Sequence, residues 1–388
     1  MSTDALHVST DRSPGSDGSL VVRLEGGSRP GTFRVQSSDL RLEPTGEALV
    51  AATLLAAMSQ GRDIVIHAPV SGRLLEAVPA LTRTYREWEP SRKEVAVFAP
   101  AAALRGEGPT RVGLFFSAGV DSYYSFLKHL GEITDLILIE GFEIPHSDHQ
   151  LYANAARLAR RIGAHYGLPV HEVATDLRLF MLQNGVEMGR AGYGTMLACI
   201  AHMLASEFGR IYVAVAHSDR DPFQDSTRTS LGQLWSTESF QLVHDGGEAT
   251  RIDKLRRIAQ DDFALSTLRT CVDQPTRNIN CGRCEKCVRT MIGLLVIDAL
   301  DRCPTFETGL DPRRIMELSL MAEGKRSFAE ENLLELERTG KNPEIAAALR
   351  VAMDRAQRRK QRQRRLHWFA PLLRKVLSRA QRLFRRRA

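Results

Sequence analysis

Residues 112–130 read VGLFFSAGVDSYYSFLKHL. A short apolar run leads into a turn of small residues, and apolar residues at helical spacing follow. This is a strand, a loop and a helix in succession. Ser117, Ala118 and Gly119 are small enough for a pyrophosphate to approach the backbone. The first N–H groups of a helix lack acceptors and carry partial positive charge, so an anion docks there. The hydroxyls of Ser117 and Ser122 add donors. Asp121 is suited to cap the helix or to hold Mg²⁺ against phosphates. The loop lacks Gly-Lys-Ser/Thr and is therefore no Walker A loop. A plain glycine turn, N-capped by Ser117 or Asp121, is the simpler alternative. The strand before it and the helix after it favour the phosphate reading. The candidate nucleotide-binding residues are thus Ser117, Ala118, Gly119, Val120, Asp121 and Ser122, with Asp121 and Ser122 the candidate catalytic pair.

The same alternation extends outward. Strands are expected at 136–140, 170–174 and 211–216, and helices at 121–129, 151–166 and 195–208. Strands alternating with helices predict an α/β fold with a doubly wound parallel sheet. Ligands of such sheets bind at the carboxyl ends of the strands. Other polar clusters fall at those ends. His217, Ser218 and Asp219 follow one strand, as candidates for the site or as a capped loop. His146, Asp148 and His149 follow another; they are metal ligands by type, although helix capping by Ser147 or Asp148 is the safer reading. His244 and Asp245, beside Gly246 and Gly247, read as a turn.

Upstream, strands at 20–24, 32–36, 63–67 and 94–98 and helices at 47–59 and 74–86 predict a small α/β unit over 19–110, with 99–110 as linker. Residues 1–18, rich in Ser, Asp and Gly, predict disorder. Helices are expected at 254–265 and 285–299, then a helical extension over 304–354.

Charge divides the chain. Residues 355–388 hold 14 Lys and Arg and no acid, which leaves 39 basic and 46 acidic residues, a net of −7, for the rest. This pattern marks an interaction tail rather than a basic face on the fold. Leu366, Phe369, Leu372, Leu373, Val376, Leu377, Ala380, Leu383 and Phe384 recur at helical spacing among arginines, with Trp368 beside them and Pro371 in a first helical turn. Such a helix suits an anionic membrane surface; nucleic acid is the rival partner, and docking on the acidic body is the plainer alternative. The acidic N-terminal stretch without an apolar core predicts no signal peptide, and no apolar run is long enough to span a bilayer. A cytoplasmic protein is expected, peripheral to the inner face of the membrane through this tail.

Four of the six cysteines fall in CVDQPTRNINCGRCEKC, at 271, 281, 284 and 287. In a large chain such clustering favours a metal over disulfides. Four thiolates, with Gly282 turning the chain, suit a closed tetrahedral Zn²⁺ site at Cys271, Cys281, Cys284 and Cys287. An iron–sulfur cluster would use the same ligands, and a redox dithiol would need only two of them. Cys199 and Cys303 lie outside the cluster.

SAGVDS resembles the SGGxDS loop of the PP-loop ATP pyrophosphatases, with Ala118 at the usual second glycine. Together with C…CGxCxxC and Arg289, about residues 111–300, within an expected PP-loop domain over 111–303, resemble the 7-cyano-7-deazaguanine synthase family. The resemblance implies a fold of the adenine-nucleotide α-hydrolase (HUP-like) type and ATP, Mg²⁺ and Zn²⁺ as cofactors. It implies adenylation of a small-molecule carboxylate with release of pyrophosphate, then attack by ammonia or an amine to form an amide or nitrile. Lys254 stands where that family has a lysine, which implies a third catalytic residue, beside Asp121 and Ser122, near phosphate or substrate; a solvent-exposed helix lysine is the alternative. Arg190 is followed by Ala191 where the family shows Arg-Asn, which implies a member acting on another carboxylate. Within the superfamily the rival is a sulfur transferase; outside it, a non-catalytic nucleotide-binding adaptor.

Overall fold

The structure, a computed structural model, describes residues 5–11, 19–26, 31–103, 108–271, 279–306 and 308–384, with side chains to residue 363. Two compact units emerge: Met1–Cys281 with Ala299–Glu307, and Gly282–Asp298 with Thr308–Ala388.

The first unit holds a ten-stranded sheet. Its strands are β1 (Leu6–Asp11), β2 (Leu20–Glu25), β3 (Gly31–Ser37), β4 (Ile64–Ile66), β5 (Val97–Phe98), β6 (Val112–Phe115), β7 (Asp135–Glu140), β8 (Val170–Thr175), β9 (Arg210–Ala214) and β10 (Gln241–Asp245). The order is β10-β9-β6-β7-β8-β3-β2-β1-β4-β5. β6 to β10 pair in parallel, as the alternation predicted. β6 lies between β7 and β9, so the chain leaves β6 in one direction along the sheet and later returns to its other side. That reversal is a topological switch point, where such sheets open a crevice.

The helices of this unit are α1 (Gly46–Gln60), α2 (Gly72–Trp88), α3 (Val120–Lys128), α4 (His149–Tyr166), α5 (Leu177–Gln183), α6 (Tyr193–Met203), α7 (Thr229–Gly232), α8 (Arg251–Ile258) and α9 (Asp262–Thr267). α1 is buried on every side from Ala48 to Met58, which is why its Ala- and Leu-rich sequence carries no polar face. α4 shows the opposite pattern, with Leu151, Ala155, Leu158, Ala159 and Ile162 on the buried stripe. α4 closes at Gly167, whose φ of 73° is the left-handed cap that glycine accepts.

Three expectations are corrected. Residues 6–11, expected to be disordered, form β1, with Leu6 and Val8 fully buried; alternation LHV outweighs the polar composition around it. Residues 1–4 and 12–18 lie outside the described residues. The upstream strands do not form a sheet of their own: β3 pairs antiparallel with β8, Val35 opposite Thr175, so the expected boundary near 110 divides no sheet. His244 and Asp245 end strand β10 rather than occupying a turn; Leu242 and His244 face inward, and the flanking polar residues conceal the period.

β3 to β8, β2 to β3 and β1 to β2 are each antiparallel, whereas β4 and β5 run parallel to β1. Three reversals make β1, β4 and β5 run opposite to β6–β10. A polar network ties this half to the parallel strands. His171 on β8 bonds Asp39 through Nδ1 (2.5 Å) and Asp135 through Nε2 (2.9 Å), while Arg111 donates to Asp135 and Glu207.

The second unit is helical: α10 (Glu285–Val296), α11 (Pro312–Glu317), α12 (Glu323–Thr339) and α13 (Pro343–Phe384). Val288, Ile292, Ile315, Leu336, Leu349 and Ala352 form its core. Arg289 pairs with Glu285 and covers the Phe328 ring at 4.2 Å, which gives it a packing role in this helix set. Arg358, Arg359 and Arg362 are exposed on α13. The apolar stripe read at Leu366 to Phe384 lies beyond the described side chains. Among the described residues no helix is long and apolar enough to cross a membrane.

The network generates a pH signature. Hydrogen bonding to Asp135, opposed by burial and assisted by Asp39, raises the His171 pKa from its ordinary 6.5. Such a group contributes stability in full below 6.5 and loses it as pH rises through the higher folded value. Burial raises the Asp135 pKa, but hydrogen bonds from His171, Arg111 and Thr134 outweigh it and hold the carboxyl well below the usual range. Its contribution is present above about pH 3.9 and lost in stronger acid. The urea midpoint is therefore expected to fall above neutrality, with that component missing in His171→Gln. Identical midpoint profiles for the two proteins between pH 6 and 9 would exclude this role.

Candidate nucleotide site and cysteine cluster

The loop after β6 meets the start of α3 at the switch point. Ala118 has φ +58°, the left-handed region that penalises a Cβ, and its side chain is buried. Alanine therefore stands where the backbone favours glycine. Gly119 N-caps α3, and Ser122 closes the loop. The Ser122 Oγ accepts from the N–H of Ser117 (3.3 Å) and of Gly119 (3.2 Å), and donates back to the Gly119 carbonyl (3.2 Å). Ser122 thus shapes the loop from within. Ser117 is half-buried at its mouth.

Asp121, in the first turn of α3, meets two cations. Arg251 Nη1 lies 3.1 Å from one carboxylate oxygen and Lys254 Nζ 3.3 Å from the other. Both come from α8, which starts with a capping box between Thr250 and Asp253. Lys254 has no exposed surface, so the solvent-exposed alternative is excluded. Its ammonium also donates to the carbonyls of Val215 and Ala216, just past β9. One side chain thus joins the first turn of α3, the helix that follows β6, to the chain just past β9. Gly246, at φ +95°, lets the backbone after β10 pass close to the Lys254 stem.

Sequence reasoning missed two arginines here. Arg251 lies one helical turn before Lys254 on α8, and that spacing was the available signal. Arg269 follows α9; its N–H donates to the Ala118 carbonyl (2.8 Å) and its Nη1 to the Ser117 carbonyl (3.3 Å). Its Nη2 is buried without a hydrogen-bond partner among the described residues. Burial lowers its pKa, and Glu143 and Cys271 oppose that shift.

The weaker candidates divide. His217 Nδ1 meets Asp221 at 3.0 Å and its ring lies 4.7 Å from Phe223. Asp219 accepts from Thr229 and donates its N–H to Gly247, as in a capped loop. His146 is held by the Thr175 carbonyl, and Asp148 caps α4 through the Leu151 N–H; among the described residues they form no metal group. Arg190 occupies a π-helical turn, Met188–Gly192, with its guanidinium 5.2 Å from the Phe223 ring.

Cys271, Cys281, Cys284 and Cys287 bring their Sγ atoms within 4.8 Å of one another. Tetrahedral zinc at about 2.3 Å from each sulfur needs about 3.8 Å between sulfurs, so a small closure completes the site. Gly282, at φ +64°, makes the turn, and a Cβ there would stand 2.2 Å from Thr308 Oγ1. Asn280, also missed, is buried; its Oδ1 accepts from Thr270 N (2.7 Å) and Cys271 N (3.1 Å). The donor set and its spacing fit a metal ion such as zinc.

Comparison of the chain with protein-family models, with curated proteins and with solved structures returned no match.

The loop conformation is open to a direct test. In Ala118→Gly, relief of the left-handed strain is offset by a lost buried methyl worth about 0.8 kcal/mol, so stability should stay within about 1 kcal/mol. Ala118→Val should cost about 2 kcal/mol or more, because a β-branched residue at this φ is a genuine outlier. Denaturant melts in which both variants behave alike would contradict the assigned backbone.

Proposed function

We propose that the chain binds ATP on residues 117–122 and cleaves it between the α and β phosphates, adenylating a small-molecule carboxylate that ammonia or an amine then attacks. The observation that carries this reading is Lys254. A fully buried ammonium at the switch point of a doubly wound sheet faces the first turn of the helix that follows the phosphate loop.

The chemistry follows from the residues. Small side chains at 117–119 let the triphosphate reach the loop backbone, and the first turn of α3 favours its charge. Lys254 and Arg251, held on Asp121, bring two positive charges to the bridging region, where negative charge grows as pyrophosphate leaves. Attack of the carboxylate oxygen on the α phosphorus breaks the α–β bond and yields an acyl-adenylate; attack of nitrogen on its carbonyl then releases AMP. Magnesium bound with ATP would neutralise phosphate charge. Asp121 can lend it a carboxylate by yielding one of its cations. In this reading Zn²⁺ at the four cysteines is structural. Burial pushes the thiols of Cys199 and Cys303 up, which disfavours them as sulfur nucleophiles. The basic stretch after Arg355 acts, in this reading, as a tether to an anionic membrane surface.

Two measurements test this. Protein incubated with Mg·ATP and fractionated small-molecule extract should yield AMP and pyrophosphate, and Lys254→Met or Asp121→Asn should lower that yield by roughly 10²–10³. ADP as the product would remove the adenylation mechanism. Metal analysis should return one zinc per chain, and Cys284→Ser should lose the metal together with much of the folding stability. Iron with visible absorption would replace zinc by a cluster.

A further inference from the structure

We propose that Arg269 grips the pyrophosphate end of the bound nucleotide, and that the hydrogen bonds of Asn280 to Leu268, Thr270 and Cys271 set its position, so that metal binding and phosphate binding are coupled. The inference deepens the nucleotide reading above and rests on it.

Arg269 holds the phosphate loop twice, by main chain at Ala118 and by side chain at Ser117. That leaves Nη2, buried beside the loop with no partner among the described residues. Burying a charged donor without an acceptor is costly; an anion in the loop would supply the acceptor. The planar fork of a guanidinium matches phosphate oxygens two at a time, which an ammonium cannot do.

The residues on either side of Arg269 are tied down. Asn280 accepts from the N–H groups of Thr270 and Cys271, and its Nδ2 donates to the carbonyl of Leu268 and to Thr305. Asn280 precedes Cys281. Two metal-site cysteines therefore flank the strip of chain that carries the arginine, one two residues after it and one clamped to it through a single amide. A shift of Arg269 toward a phosphate moves Cys271, and fixing Cys271 on a metal restrains Arg269. Coupling between two ligands is reciprocal: whatever factor the metal adds to phosphate affinity, phosphate adds to metal retention.

The experiment uses the zinc-loaded full chain with inorganic pyrophosphate and with ATP as probes. Calorimetry gives affinity, and a chromogenic chelator gives the rate of zinc loss. Arg269→Gln should weaken pyrophosphate at least tenfold. Arg269→Lys, which keeps the charge but not the fork, should weaken it severalfold at an unchanged melting temperature. Saturating pyrophosphate should slow zinc loss severalfold in the wild type but not in Arg269→Gln. Asn280→Ala, which retains the arginine, should still bind pyrophosphate but lose the effect on zinc.

Pyrophosphate affinity within twofold of wild type in both Arg269 variants would overturn the assignment of Arg269 while leaving the nucleotide site standing. Zinc loss indifferent to pyrophosphate in the wild type would overturn the coupling. A wild type that binds neither probe would remove the nucleotide reading and this inference together. Should Arg269→Gln fail to fold, the lysine variant decides the matter by affinity at equal stability.

Discussion

A fully buried ammonium must be answered by acceptors, and for Lys254 these are the Asp121 carboxylate and the carbonyls of Val215 and Ala216. Leaving any of them out would strand a charge in a medium that solvates it poorly. The constraint therefore fixes three elements at once: the first turn of α3, the end of β9 and the middle of α8. The switch point is where β6 and β9 lie side by side, and Lys254 bridges the segments just beyond their carboxyl ends. Arg251 shares the same carboxylate, so Asp121 is better described as the anchor of two cations than as a vacant ligand. The loop over 117–122 inherits its position from this arrangement, because its last residues are the first turn that Asp121 occupies.

Most of the parallel half of the fold was legible in the sequence, because β6, β7 and β9 are short apolar runs and α4 shows a 3.6-residue stripe. The loop was legible for the same reason, being a small-residue turn between a strand and a helix. The cysteine cluster was legible from spacing alone. β1 was hidden by the Ser- and Asp-rich residues around it, and β10 by its polar residues Gln241, His244 and Asp245. The continuity of the sheet was not legible, since nothing local in β3 specifies β8 as its neighbour; the pairing is a tertiary fact. Arg269 and Asn280 were invisible for a related reason. Each matters through a partner far along the chain, at Ala118 and at Thr305, and neither belongs to a motif.

Residue 118 shows how local sequence and local conformation can disagree at a site. Left-handed backbone at alanine stores strain. The hydrogen bonds of Ser122 and Arg269 on either side hold it in place. Such strain persists only where its surroundings over-determine it. Here the surroundings are the cap of α3 and the segment that leads to the cysteines.

The sheet ends, on the side away from β6 to β10, at β5, which is two residues long. A terminal strand offers its unpaired N–H and C=O groups to any other chain that can lie alongside. Two residues offer too few for a stable ladder. The shortness of this last strand blunts the template that the edge would otherwise present for self-association.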